Sequence, residues 1–187
     1  GGVMVHEIER AGATHLALPV ASKNPLVMRR NIARLAEIIR KHNVSLVHAR
    51  SRAPAWSAWY AAQQTGRPFI TTFHGTYSAG NRLKRWYNSI MSRGERIIAI
   101  SEFIGRHIVE TYGVDPGRVH VIPRGIDIVN FDTARVSAER VMQLARAWRM
   151  TDGVPVVMLP GRLTRWKGQI VLIEALARLG RRDLCCL

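Results

Sequence analysis

Short apolar runs alternate with segments of helical periodicity along this chain, and that alternation limits the folds open to it. The apolar runs have strand length and lie at 15–20, 44–48, 68–73, 96–100, 118–122 and 155–159. Between them, apolar residues recur every three or four positions, as on one face of a helix. Strands alternating with helices predict an α/β fold: a Rossmann-like parallel sheet with flanking helices covering both faces.

Local signals predict where the helices begin and end. Proline suits the first turn of a helix, serine caps its start, and glycine follows its last turn. These signals and the apolar spacing predict helices near 3–8, from 28 to 39, from Pro54 to Gly66, over 81–93, from Glu102 to Tyr112, from 136 to 148, and from Gln169 to Leu179.

Polar residues and glycines concentrate where the predicted strands end. In parallel α/β sheets, ligands bind at the carboxyl ends of the strands. A binding cleft is therefore expected at His48-Ala49-Arg50, His74-Gly75-Thr76, Ser101-Glu102, Pro123-Arg124-Gly125 and Gly161-Arg162.

The segment PGRLTRWKGQ, residues 160–169, is the most specific of these strand ends. Arg162 and Lys167 lie between Gly161 and Gly168, after an apolar strand and before a helix. Such a junction gathers backbone N–H groups and a helix N-terminus, which favours an anionic ligand such as phosphate. The alternative is that both are solvated surface cations.

The charge of the chain also indicates an anionic partner. It has 28 Lys and Arg against 13 Asp and Glu, a net charge of +15. Nucleic acid, a membrane surface and a phosphorylated small molecule are all compatible with this charge. The cations are spread along the chain, which argues against a disordered nucleic-acid-binding tail. The adjacent Cys185 and Cys186 do not have zinc-site spacing, so a reducing, cytoplasmic environment without a metal site is expected.

Five segments, in order, resemble the retaining, nucleotide-sugar-dependent glycosyltransferases of family four, which have the GT-B fold. PGRLTRWKGQ resembles their G-R-L-x-x-x-K-G signature, and TTFHG (71–75) their strand ending in His-Gly. Arg124 stands where this family more often has Asn. The other resembling segments are HARSRAPAW (48–56), IAISEFIGRHI (98–108) and YGVDPGRVHVIPRGIDIVNF (112–131).

The resemblance implies transfer of a sugar from a nucleoside-diphosphate sugar, with retention of configuration. Residues 1–130 would form an acceptor-side domain, and residues 131–187 a linker and the first βα unit of a donor-binding domain. The family's first strand with its Gly-rich loop, and its E-x7-E segment, have no counterpart in this sequence. We therefore interpret the chain as a fragment lacking both ends, and expect it to be inactive alone.

By the same resemblance, Gly161, Arg162 and Lys167 would bind the donor diphosphate, without a metal or other cofactor. His74 would contact the reaction centre, so His74, Arg162 and Lys167 are the candidate catalytic residues. The acceptor would be a cell-envelope glycan or lipid-linked sugar. Its candidate contacts are Arg50, Arg52, His74, Gly75, Ser101 and Arg124.

Structural explanations remain open for several of these residues. His74 could be a hydrogen-bonded structural residue, Ser101 a helix cap, and Arg50 and Arg52 a helix cap and core packing beside Trp56 and Trp59. Lys84, Arg85 and Trp86 could contact an anionic membrane peripherally or form a solvated helix face. The alternative functions are a basic nucleic-acid-binding α/β protein, which no recognisable motif supports, and a nucleotide-sugar-modifying enzyme such as an epimerase.

Overall fold

The computed structural model describes residues 3–77 and 80–187. The chain divides into two compact units, Gly1–Gly125 and Ile126–Leu187, and each is considered separately below. This division falls five residues before the boundary near residue 130 that the sequence predicts.

The first unit contains a four-stranded parallel sheet. Its strands are β1 (Val47–Ala49), β2 (Phe69–Phe73), β3 (Arg96–Ala99) and β4 (Val119–Val121), hydrogen-bonded in the order β1-β2-β3-β4. Ala49 pairs with Thr71, Phe73 with Ala99, and Ala99 with Val121. Because all four strands are parallel, their carboxyl ends share one edge of the sheet.

The described residues of the same unit form five α-helices, whose ranges are close to the predicted ones. They are α1 (Val3–Arg10), α2 (Pro25–Lys41), α3 (Arg52–Thr65), α4 (Arg82–Asn88), which continues as a 3₁₀ helix over Ser89–Arg93, and α5 (Glu102–Tyr112). Asn24 caps α2, because its side-chain oxygen accepts from the backbone N–H groups of Leu26 and Val27. Each α-helix of the described residues is too short or too polar to cross a membrane.

The strand predicted at 15–20 does not form. Pro19 has no N–H to donate to a sheet, and its carbonyl accepts from Asn31 Nδ2 at 3.0 Å. The N–H of Val20 bonds to the carbonyl of Leu18 at 2.8 Å, which makes this segment a turn. The strand predicted at 44–48 is also displaced to Val47–Ala49. The N–H of Val44 instead bonds to the carbonyl of Ile39 at the end of α2.

One face of the sheet is buried and the other is largely open, so the prediction of a sheet covered on both faces is wrong for the described residues. Crossovers of one hand between strands in sequential order place the connecting helices on the same side. The open face presents the exposed His48, Arg96 and His120. The buried face joins α3, α5 and the 3₁₀ helix in a core that includes Ala49, Ala55, Trp56, Phe69, Phe73, Ile90, Met91, Ile97, Ala99 and Ile108.

The second unit contains a small parallel βαβ arrangement. Its elements are α6 (Ala138–Ala147), β5 (Val156–Val157), α7 (Gln169–Leu179) and β6 (Cys185–Cys186), with Val156 paired to Cys185. The sequence predicts a linker and one βα unit over these residues. The structure adds a second strand after the helix, since the N–H groups of Cys185 and Leu187 bond to the carbonyls of Pro155 and Val157. Both cysteines are free thiols.

Candidate functional site

The carboxyl edge of the first sheet collects the side chains that the sequence singles out. Arg50 follows β1, His74 follows β2, Ser101 follows β3 and Arg124 lies three residues after β4. Alternate residues of an extended strand share a face. His48 and Arg50 therefore project to the same side, as do Thr72 and His74 on the neighbouring strand.

His74 is the centre of this edge. Arg50 Nε lies 3.3 Å from His74 Nε2, and Arg124 Nη2 lies 2.7 Å from His74 Nδ1. Each nitrogen of one imidazole thus faces a guanidinium group, and the two arginines come from different strand ends. Gly75 follows, and a Cβ added there would meet nothing within 4 Å. The described residues therefore leave open space beside Gly75.

The electrostatics of this edge favour neutral imidazoles. Partial burial, and after it the positive charges of Arg124 and Arg50, lower the pKa of His74 from its ordinary value of 6.5. Burial and the charge of Arg50 likewise lower the pKa of His48. At neutral pH, His74 can therefore accept one hydrogen bond and donate another.

His48 belongs to the predicted cleft segment His48-Ala49-Arg50, but the sequence assigned no role to it. Its Nε2 lies 2.7 Å from Thr72 Oγ1 on the neighbouring strand, which places its ring on the open face beside the His74 cluster. Its charge is also among the causes that lower the pKa of His74. Its spacing of two residues from Arg50 is the signal that both side chains lie on the same face of the strand.

Arg52 lies in a different environment from Arg50. Its Nη1 donates to Asn88 Oδ1 at 2.8 Å, and its guanidinium lies 4.5 Å from the centre of the Tyr77 ring. Arg52 also lines a groove of about 520 Å³. The other residues that line this groove are Lys23, Ser51, Ala53, Leu83, Lys84, Tyr87 and Asn88.

The predicted association of Arg50 and Arg52 with Trp56 and Trp59 is replaced by a different cation. The guanidinium of Arg93 lies 4.5 Å from the Trp59 ring and 5.7 Å from the Trp56 ring. The Trp56 indole N–H donates to the carbonyl of Tyr87 at 3.2 Å, in the partly buried interior. These tryptophans therefore pack the fold, as the structural alternative held.

Ser101 caps α5, since its Oγ accepts from the backbone N–H of Ile104 at 3.3 Å. This confirms the helix cap that the sequence predicts, while a contact with an acceptor stays a prediction. On α4, Arg85 Nη2 donates to the carbonyl of Thr111 at 2.6 Å, so Arg85 ties α4 to the end of α5. Trp86 is 59% exposed and leaves an apolar surface in solvent.

The second unit holds the glycine-flanked cations in one turn. Lys167 ends a 3₁₀ helix over Arg165–Lys167, and Gly168 follows in the left-handed region with φ of 80°. A Cβ on Gly161 would lie 3.8 Å from Lys167 Cδ, so the lysine stem passes beside this glycine. The carbonyl of Arg162 accepts from Gln169 Nε2 at 3.1 Å, which joins the loop to the start of α7.

The start of α7 is open to an anion. Gly168 provides no side-chain cap, so the first backbone N–H groups of this helix are free of that competitor. The ammonium of Lys167 lies 4.4 Å from the centre of the Trp166 ring. Lys167 and a helix N-terminus, with Arg162 in the loop before them, provide the kinds of group that phosphate favours. Within residues 3–77 and 80–187, His, Cys, Asp and Glu form no group of three or more that could hold a metal ion.

A crystal structure of a glycosyltransferase from Rickettsia africae ESF-5 matches the fold with a TM-score of 0.82 and 41% identity, over 100% of this chain and 49% of that chain. The structure of Anabaena HepE in complex with UDP-glucose matches with a TM-score of 0.77 and 21% identity. The match covers 99% of this chain and 49% of that chain. The predicted GT-B-type fold is confirmed.

The chain belongs to Glycosyltransferase Family 4, whose family model matches residues 4–130. A D-inositol 3-phosphate glycosyltransferase of Nocardia farcinica is 25% identical over 219 residues, which cover 97% of this chain and 47% of that protein. The chain spans about half the length of such relatives.

Proposed function

We propose that the protein is a glycosyltransferase that moves a sugar from a nucleoside-diphosphate sugar to an acceptor with retention of configuration. The observation that carries this proposal is the turn of Arg162 and Lys167 at the open start of α7, in a chain that belongs to this family. Anabaena HepE was solved with UDP-glucose and with UDP, which supports a nucleotide-sugar donor.

In this proposal, Arg162 and Lys167 stabilise the leaving diphosphate. Negative charge grows on its oxygens as the glycosidic bond breaks, and positioned cations lower the barrier by about 3 kcal/mol each. Arginine offers a planar fork to two oxygens, whereas lysine offers a compact charge. Gly161 lets the stem of Lys167 pass close to the loop backbone. Arg162 and Lys167 would stabilise the leaving diphosphate without a metal ion, so the rate of sugar transfer should be unchanged by EDTA.

His74 would contact the transferred sugar. A neutral imidazole can donate to or accept from a sugar hydroxyl, and the open space at Gly75 permits close approach. We propose no covalent nucleophile. The leaving phosphate would itself take the acceptor's proton on the same face of the sugar, which accounts for retention.

The cations can be tested in the full-length protein, which is needed because this chain spans about half of its relatives. Arg162→Ala and Lys167→Ala should each lower the rate of transfer by about tenfold or more. Arg165→Ala is the matched control, since Arg165 is an exposed cation of the same turn and has no proposed role. Near-normal rates in the first two variants, or an equal loss in the control, would remove the proposed roles.

We also propose that the acceptor is a cell-envelope glycan or lipid-linked sugar, reached from the cytoplasmic side through peripheral membrane contact. The supporting observation is an apolar groove of about 500 Å³ on the first unit. Trp86 lines it, and the exposed Leu83 and Leu26 lie on the two helices beside it. Lys23 and Arg29 also line it, which matches an anionic lipid surface.

Vesicle sedimentation tests this surface. The protein should bind vesicles containing phosphatidylserine more tightly than vesicles of phosphatidylcholine alone. The double variant Leu83→Ser and Lys84→Glu should lose most of this binding, whereas Phe103→Ser, a change at an exposed residue of α5, should keep it. Equal binding by both variants would contradict the proposed surface.

Two other functions make different predictions. A nucleic-acid-binding protein should bind duplex DNA in a salt-sensitive manner and bind no nucleotide sugar. An epimerase should convert a nucleotide sugar with no acceptor present. The match to Glycosyltransferase Family 4 favours transfer over both.

A further inference from the structure

The cluster of Arg50, His74 and Arg124 contains more hydrogen-bond donors than acceptors. Both ring nitrogens of His74 face a guanidinium, at 3.3 Å and 2.7 Å. Guanidinium groups only donate, and a neutral imidazole has one acceptor nitrogen and one N–H. At most one of the two contacts can therefore be a hydrogen bond. In the other contact, an arginine N–H faces an imidazole N–H, and no hydrogen bond forms.

The described chain supplies no carboxylate to balance these charges. Within residues 3–77 and 80–187, the ion pair between Arg181 and Asp183 is the one found, and it lies in the second unit. His48, the further basic group beside Arg50, contacts the Thr72 hydroxyl. The cluster thus has two full positive charges, a shortage of acceptors and open space at Gly75.

We infer that Arg50 and Arg124 bind an anionic group, a phosphate or carboxylate, carried by the acceptor, with His74 between them. An oxyanion would supply the acceptors that the two guanidinium groups lack, and arginine forks match its geometry. The inference rests on the proposed function, and it names the chemical class of the acceptor. The donor diphosphate has its own pair of cations in the second unit, Arg162 and Lys167.

Arg124 is the residue of the cluster on which the inference most depends, because it makes the shorter of the two contacts with His74. An asparagine amide at position 124 could provide neither a positive charge nor the paired N–H donors of a guanidinium group. Arg124 therefore places a cation 2.7 Å from His74 Nδ1 that would recognise an anion.

Inorganic phosphate is the probe for the first experiment, with the 187-residue chain. His74 would be followed by NMR of its imidazole, assigned by the signal that His74→Gln removes. Phosphate at constant ionic strength should shift this signal saturably and raise the pKa of His74, because the bound anion offsets the arginine charges. Acetate in place of phosphate tests the carboxylate form of the ligand.

Substitutions then locate the binding. Arg50→Ala and Arg124→Ala should each weaken phosphate binding by about tenfold or more, the usual loss for a charged hydrogen bond. Arg34→Gln, a change at an exposed arginine of α2, should leave it unchanged. Binding of equal strength in all three variants, or no saturable shift in the unmodified chain, would overturn the inference.

A second experiment separates this inference from the proposed function. In the full-length enzyme, Arg124→Ala should raise KM for an acceptor carrying phosphate or carboxylate by about tenfold or more, with KM for the donor unchanged. An enzyme that transfers sugar equally well to the matched neutral acceptor would overturn the inference and leave the function intact. An enzyme that cleaves no nucleotide sugar, while its His74 cluster still binds phosphate, would overturn the function alone.

Discussion

Replacing Phe73 tests whether the strand that holds His74 is fixed by the packed core. Phe73 is the last residue of β2, is 0% exposed and directly precedes His74. Its ring centre lies 5.2 Å from that of Tyr77 and 5.8 Å from that of Tyr112. Truncation to alanine removes the ring and leaves a cavity, which costs about 3–5 kcal/mol of unfolding free energy. That loss is a large share of the ~5–15 kcal/mol available to a typical domain.

Phe73→Leu refines this estimate, because leucine retains most of the apolar volume. It should lose mainly the two aromatic pairs, at about 0.5–1.5 kcal/mol each, and so cost about 1–3 kcal/mol. Phe103→Ala is the matched control, since Phe103 is 63% exposed on α5. A surface substitution of this kind should change stability by no more than about 0.5 kcal/mol.

Urea unfolding followed by far-UV circular dichroism measures these differences. With a slope of about 1–3 kcal/mol per molar urea, Phe73→Ala should lower the midpoint by about 1 M or more. The Leu variant should fall between the Ala variant and the unmodified protein. If Phe73→Ala and Phe103→Ala shifted the midpoint equally, the assignment of Phe73 to the core would be refuted.

Three other predictions concern buried polar groups, caps and pH. Thr71→Val should lower the free energy of unfolding in urea by about 1–3 kcal/mol, because the buried Thr71 Oγ1 donates to the carbonyl of Met91 at 2.6 Å. A loss below about 0.5 kcal/mol, which is the usual range for surface substitutions, would contradict this prediction. Ser101→Ala should cost about 1 kcal/mol by removing the cap of α5, and Ser101→Gly should cost less. The free energy of unfolding should fall as pH falls below 6.5, because the pKa values of His48 and His74 are lowered on folding and the unfolded chain then binds more protons. The double variant His48→Gln and His74→Gln should flatten that dependence, and an unchanged pH profile would show that other groups cause it.

Elements with strong local signals could be predicted from the sequence. Helix α5 runs from Glu102 to Tyr112 as predicted, because Ser101 caps its start and Gly113 closes it in the left-handed conformation with φ of 64°. The end of α7 at Leu179 was also predicted, because Gly180 closes this helix in the left-handed conformation with φ of 64°. In both cases the deciding residues are neighbours in the chain.

Features that depend on distant residues could not be predicted. The contact between His74 and Arg124 joins residues 50 positions apart, and periodicity does not reveal which strand ends become neighbours. Arg52 was grouped with Arg50 because they are close in sequence, yet its partners are Asn88 and Tyr77. The segment 15–20 has the composition of a strand, but composition does not show whether a sheet partner is available.

Sugar transfer by the full-length protein is the most direct measurement of the central claim. The protein would be incubated with a panel of nucleoside-diphosphate sugars, with and without a mixture of glycan acceptors, and the release of nucleoside diphosphate followed over time. The account predicts release that the acceptors accelerate, with the sugar recovered on the acceptor. Conversion of the donor to another nucleotide sugar without any acceptor, or no reaction with any donor, would contradict it.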